Sequence, residues 1–142
     1  MYLQTDKRWS GLDMDSVPFK IGRWGCTVTS VTNGLLALKM GLLNPKQVSD
    51  KLSFTNQGLL LWGSTKNVGL DMVSYSRYFN KDRAQKALKS PIEFCIVELD
   101  HWHWALVWSL KAGVIIYDPL FGIRPMWPKY KNITKTVILR KI

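Results

Sequence analysis

Two thiols, two imidazoles and ten carboxylates are the side chains of this sequence that could carry covalent or acid–base chemistry. Cys26 stands out among them. It follows Gly25 and opens a segment in which Val28, Val31, Leu35 and Leu38 recur at helical spacing. A helix start carries about half a positive charge and free N–H groups. Both favour a thiolate, so the thiol pKa is expected to fall. The same N–H groups can donate to an oxyanion. The competing use of such a cysteine is as a small buried apolar residue.

A thiolate nucleophile needs a base, and His101 and His103 are the two histidines available. They are two positions apart, so on a strand both face one way and Trp102 and Trp104 face the other. The hairpin separates them. With a turn across Leu110 to Gly113, His103 falls opposite Asp118 or one diagonal step away, about 5–8 Å between backbones. A carboxylate there can fix the tautomer and orientation of the imidazole. His101 sits further out with no such partner. Taken singly, Asp118 also reads as a turn residue before Pro119, and His103 as a core histidine.

The elements that must position these groups follow from periodicity and punctuation. Residues 1–25 read as a loop-rich lead-in. A helix then runs from Cys26, held by packing because Thr27-Val28-Thr29-Ser30-Val31-Thr32 is a poor helix former alone. Gly41 stands where its C-terminal cap is expected, and Gly34 leaves room for a neighbouring backbone. Asn44-Pro45 starts a short helix through Leu52. Residues 53–80 are mixed, with turns at Gly58, Gly63 and Gly69, and Asp82–Lys89 is a further short helix. Ile92–Leu99 reads as a strand, Trp102–Leu110 and Val114–Tyr117 as a hairpin, Pro119–Tyr130 as a loop and Ile133–Leu139 as a last strand. Helices first and sheet second predict an α+β fold, and 142 residues suit one domain over 1–142.

Composition bounds the class. With 46% hydrophobic and 21% charged residues the chain reads as globular. The net charge of +10 implies attraction to an anionic surface. The Lys and Arg residues are scattered rather than blocked, so a solvated surface is expected, not a nucleic-acid face. Seven Trp could fill a core or line a groove for peptides or sugars. The first residues lack the apolar stretch of a signal peptide, and no apolar run is long enough to span a membrane. A cytoplasmic protein with reduced thiols is the default expectation, with export by another route left open.

The run Gly25-Cys26-Thr27-Val28-Thr29-Ser30, the stretch His103-Trp104-Ala105-Leu106-Val107 and Tyr117-Asp118-Pro119-Leu120 together resemble the papain-like cysteine peptidase family thirty-nine. That family includes the double-glycine leader peptidases, and the likeness is closest to its free-standing relatives. Asn44-Pro45, Gly58-Leu59-Leu60-Leu61-Trp62 and Pro91-Ile92 fall between these motifs in the family's order. The resemblance implies a papain-like fold, a nucleophile helix packed on a small C-terminal antiparallel sheet. It implies Cys26 as nucleophile, His103 as base and Asp118 as the orienting acid. It also implies Gln4 as a side-chain oxyanion donor, through Gln4-Thr5-Asp6-Lys7-Arg8-Trp9. Gln4 lies 22 residues before Cys26, whereas the leader peptidases have that Gln only a few residues before theirs. A surface residue near a terminus is the other reading of Gln4.

The expectation is a thiol hydrolase of a peptide or isopeptide bond that needs no cofactor. Its substrate is a peptide or protein, with a leader peptide, a cell-wall cross-bridge or a host protein as candidates. A short basic chain without a leader suits a phage lysis or virion protein, reaching the wall by a holin or with the particle. The rival is an inactive papain-like binder of a peptide, glycan or anionic partner. A zinc site from Cys26, Cys95, His101 and His103 has no supporting ligand spacing and is not expected.

Overall fold

The computed structural model describes residues 1–15 and 17–142. Gly25 separates a four-residue helix, α1 (Ile21–Trp24), from α2 (Cys26–Ala37). A Cβ on Gly25 would lie 2.5 Å from the Ile21 carbonyl oxygen, so a side chain has no room where the chain turns into α2. The β-branched first turn of α2 is held by burial, since Val28 to Leu35 are all buried. Thr32 returns its hydroxyl to the Val28 carbonyl at 2.8 Å. Gly34 does admit a close neighbour, but it is the Phe94 ring rather than backbone. An added Cβ would lie 2.2 Å from that ring.

The helix stops before Gly41. Lys39 takes the left-handed position at φ 56°. Its N–H bonds the Leu36 carbonyl at 3.0 Å, and Met40 N–H bonds that of Leu35 at 2.9 Å. Those two bonds form a Schellman stop on a non-glycine residue, which composition alone does not signal. The Asn44 start is as expected. Asn44 and Gln47 exchange side-chain and backbone bonds at 2.9 Å each, a capping box for α3 (Pro45–Lys51).

A 3-10 helix over Trp62–Val68 leads into the sheet. The remaining elements are β1 (Leu70–Ser76), α4 (Lys81–Lys89), β2 (Glu93–Leu99), β3 (His103–Ser109), β4 (Ile115–Asp118), β5 (Gly122–Pro125) and β6 (Ile133–Lys141). Among the described residues six strands lie in the order β1-β6-β2-β3-β4-β5, and every neighbouring pair is antiparallel. The class is α+β. The sheet is larger than expected by two strands, and all its strands lie between Leu70 and Lys141. Both unforeseen strands are edges, where one side needs no partner. β1 carries a register shift between Met72 and Ser74, and β5 ends on Pro125.

Each sheet face carries a helix. Val28, Val31 and Leu35 of α2 pack on Phe94, Ile96, Leu106, Val137 and Leu139. Ala84 and Ala87 of α4 pack on Cys95, Val97, Ala105, Val107 and Ile138. Central β2 is buried along its whole length, Glu93 and Glu98 included.

Glu93 survives there because two arginines reach it. Arg83 bonds both carboxylate oxygens at 2.8 and 2.9 Å, and Arg140 Nε bonds Oε1 at 2.8 Å. The Arg83 bonds, against burial and helped by Arg140, bring the carboxyl down to about 2. A lowered folded-state pKa stabilises above the ordinary carboxylate range and loses that effect as pH falls toward 2. Glu93→Ala is expected to cost about 3 kcal/mol at pH 7 in urea unfolding. The gap to the unsubstituted protein should narrow at pH 3, and a gap that stays constant would refute the ion-pair account.

Candidate active site

The turn between β2 and β3 sets the site's geometry. Asp100 and His101 both take positive φ, 53° and 66°, and Trp102 N–H bonds the Leu99 carbonyl at 3.1 Å. That is a tight turn with both central residues left-handed, and Trp102 completes a three-residue connection, since Leu99 pairs with His103. β3 therefore begins at His103, and His101 stands in the turn. The expectation that both histidines share one strand face does not hold. The Asp100 carboxylate accepts from Lys131 N–H at 3.1 Å and Asn132 N–H at 2.9 Å, which anchors the segment carrying Tyr130.

Across the next hairpin Leu106 pairs with Tyr117 and Val107 with Ile116, with a register shift before Ser109 and Ile115. Asp118, the last residue of β4, thus lies a diagonal step from His103. The side chains close that step: His103 Nε2 is 2.8 Å from Asp118 Oδ1. Both side chains are buried, at 1% and 0% exposure. Asp118 Oδ1 also accepts from Leu120 N–H at 2.9 Å, and Oδ2 accepts from the Tyr130 hydroxyl at 2.6 Å. The Tyr130 ring stacks on the imidazole at 5.3 Å and 21°, with Trp102 tilted against it at 5.0 Å.

This surrounding decides the charges. Burial pushes the Asp118 carboxyl up, but the bonds from His103, Tyr130 and Leu120 N–H outweigh it and hold the pKa below the ordinary value. Burial pulls the His103 imidazole down, while hydrogen bonds with Asp118 and with Cys26 raise it to about 9. Burial, and then the bond to Asp118, push the Tyr130 phenol up, so it remains a donor. With Nε2 engaged by Asp118, Nδ1 is the ring nitrogen left for the Cys26 sulfur.

Cys26 opens α2, which is hooked to β3 by the Ser30 hydroxyl on the Trp104 carbonyl at 3.2 Å. The cysteine lies in a cleft of about 590 Å³ that is also lined by Gln4, Trp24, Trp62, His101, His103 and Trp104. Gln4 is not a loose end. It is 2% exposed, and its backbone N–H bonds the Pro119 carbonyl at 2.8 Å. Two residues earlier, the Asn33 side chain of α2 clamps Tyr2 N–H and carbonyl at 2.8 and 3.0 Å. Gln4 Nε2 donates one hydrogen to the Gly22 carbonyl at 3.2 Å, leaving its second N–H free of that bond.

Three of the four residues expected at the site, Cys26, His103 and Gln4, therefore line one cleft, and the fourth, Asp118, lies buried behind His103. Cys95 lies apart from them. It is buried in the α4-side cluster, where burial pushes its thiol up, and among the described residues no zinc-like group of Cys and His forms. Tyr130 and Glu98 belong to the site region and were not expected there. Tyr130 lies twelve residues beyond Asp118, across β5 and a loop, and no spacing rule links them. No helix among the described residues is long and apolar enough to cross a membrane. An α+β fold with a thiol, imidazole and carboxylate at one cleft is the class these observations define. Comparison with known proteins returned no match, whether to a family model, a curated protein or a solved structure.

Proposed function

We propose that this chain is a papain-like cysteine hydrolase of the kind its motifs resemble, one domain that cleaves a peptide or isopeptide bond. The observation that carries the reading is the buried 2.8 Å contact of His103 Nε2 with Asp118, with Cys26 lining the same cleft as that imidazole. An imidazole with its pKa raised to about 9 takes the Cys26 proton, and the sulfur attacks the carbonyl carbon. The oxyanion forms against the Cys26 N–H and the spare Gln4 N–H. His103 then protonates the leaving amine. Water, deprotonated by His103, releases the acyl group and restores the thiol. Asp118 stays ionised and holds the ring. The net charge of +10 supports an anionic setting such as a cell wall, with phage or bacterial delivery as the biological context.

Iodoacetamide tests the reading directly. Cys26 is expected to label about tenfold or more faster than a free thiol at pH 7, and to keep that advantage at pH 6. Labelling at the rate of a free thiol would reject the enzyme and leave the cleft as a binding site only.

A further inference from the structure

The cleft holds a second cluster that no step above uses. Glu98 on β2 pairs with Lys135 on β6 and with Trp104 on β3, so the three stand in a row across the sheet. Trp62 stands edge-on to Trp104 at 5.4 Å and 62°, and to Tyr75 at 6.5 Å and 70°. All five side chains line the cleft. Glu98 is only 6% exposed. The Thr134 hydroxyl donates to its Oε1 at 2.8 Å, and Lys135 Nζ to Oε2 at 3.1 Å. A carboxylate offers about four acceptor positions, so two remain. A charge this buried is costly to keep, and β2 needs none there for its ladder.

We infer that this corner of the cleft is a subsite for an alkylammonium group of the substrate, the side chain of a lysine or another diamino acid. It rests on the hydrolase reading only for the word substrate. Glu98 takes the charge, and Trp62, Tyr75 and Trp104 surround the stem, their ring faces attracting a cation. The ammonium of Lys135 already shows the fit of such a group to Glu98. Lys135 is about a third exposed, at 32%, on a flexible four-carbon stem, so it can swing out when a substrate amine arrives. The opposite assignment, Lys135 gripping a substrate carboxylate, sets an anion against electron-rich ring faces and the nearby Glu98.

The test is equilibrium binding to the Cys26→Ala protein, which needs no turnover. The probes are end-blocked pentapeptides of glycine with lysine, norleucine or glutamate at the centre. The lysine peptide is expected to bind about tenfold tighter than the norleucine peptide. Glu98→Gln in the same background should erase that preference. Lys135→Ala should widen it by removing a competitor, and this substitution of a partly exposed side chain leaves the core untouched. The two opposite signs identify the subsite. If both substitutions weaken the lysine peptide alike, the pair is a strut between strands and the inference is overturned. Tightest binding of the glutamate peptide, or no difference among the three, overturns it as well. Absence of hydrolysis by the unsubstituted protein would count against the enzyme reading and leave this result standing.

Discussion

Cys26→Ala protein is expected to fold normally and to lose hydrolysis by about 10⁵-fold or more. The sulfur is the only atom that bonds the substrate in the proposed mechanism, so nothing else in the cleft can replace it. The side chain is half-buried and small, and its loss should shift stability by no more than about 1 kcal/mol. A second readout separates a dead site from a broken fold. The His103 imidazole should titrate near 9 in the unsubstituted protein, because Asp118 and Cys26 together overcome burial. Without the sulfur one of those two supports is gone, and the titration seen by NMR should move down. The linked stability has a definite sign. A raised imidazole pKa stabilises fully below the ordinary value of 6.5 and loses that contribution as pH rises through about 9. The substituted protein should therefore show a shallower loss of stability across that window. An unchanged His103 titration would mean that Cys26 and the ring do not interact.

The sequence made Cys26 legible because a helix start is a local event, written in Gly25 and the apolar period that follows. The hairpin made His103 and Asp118 legible for a similar reason: a short turn fixes which residues on two strands meet. What local pattern does not carry is a contact across intervening elements. Tyr130 reaches Asp118 only after the chain has laid down β5 and doubled back, and the Asp100 bonds to Lys131 and Asn132 set its place. Glu98 was hidden by its neighbours, since Ile92 to Leu99 reads as an apolar run and its carboxylate is explained only by β6 alongside. The two missed strands are edges: β1 buries only its two end residues, and β5 is a four-residue piece bounded by Gly122 and Pro125, so neither shows the apolar run of a buried strand. Parity puts His101 on β3, and parity ends where Asp100 and His101 leave the extended region. Gln4 came from the family resemblance alone. Its burial depends on Pro119 and Gly22, residues far from it in sequence.

The Asp118 carboxylate offers the second large effect, and its acceptor pattern says which substitution is most informative. Asp118→Asn keeps the shape but gives the imidazole an amide that can donate to Nε2. That donation places the ring proton on Nδ1, the nitrogen facing Cys26, so the ring can no longer take the thiol proton. The expected loss in kcat is about 10³- to 10⁴-fold, the cost of a wrong tautomer in a triad. Tyr130→Phe is the graded companion. It keeps the ring stacked on His103 and removes only the 2.6 Å donor to Oδ2. One lost hydrogen bond to a charged group corresponds to about tenfold in kcat/KM. Without that donor the Asp118 pKa should rise toward its ordinary value, so the acid limb of the pH–rate profile should move up. If Tyr130 only fills space, Tyr130→Phe keeps the ring and will leave both kcat/KM and that limb where they were. Movement of the limb at unchanged melting temperature would instead make Tyr130 a positioning residue, acting on His103 through Asp118 alone.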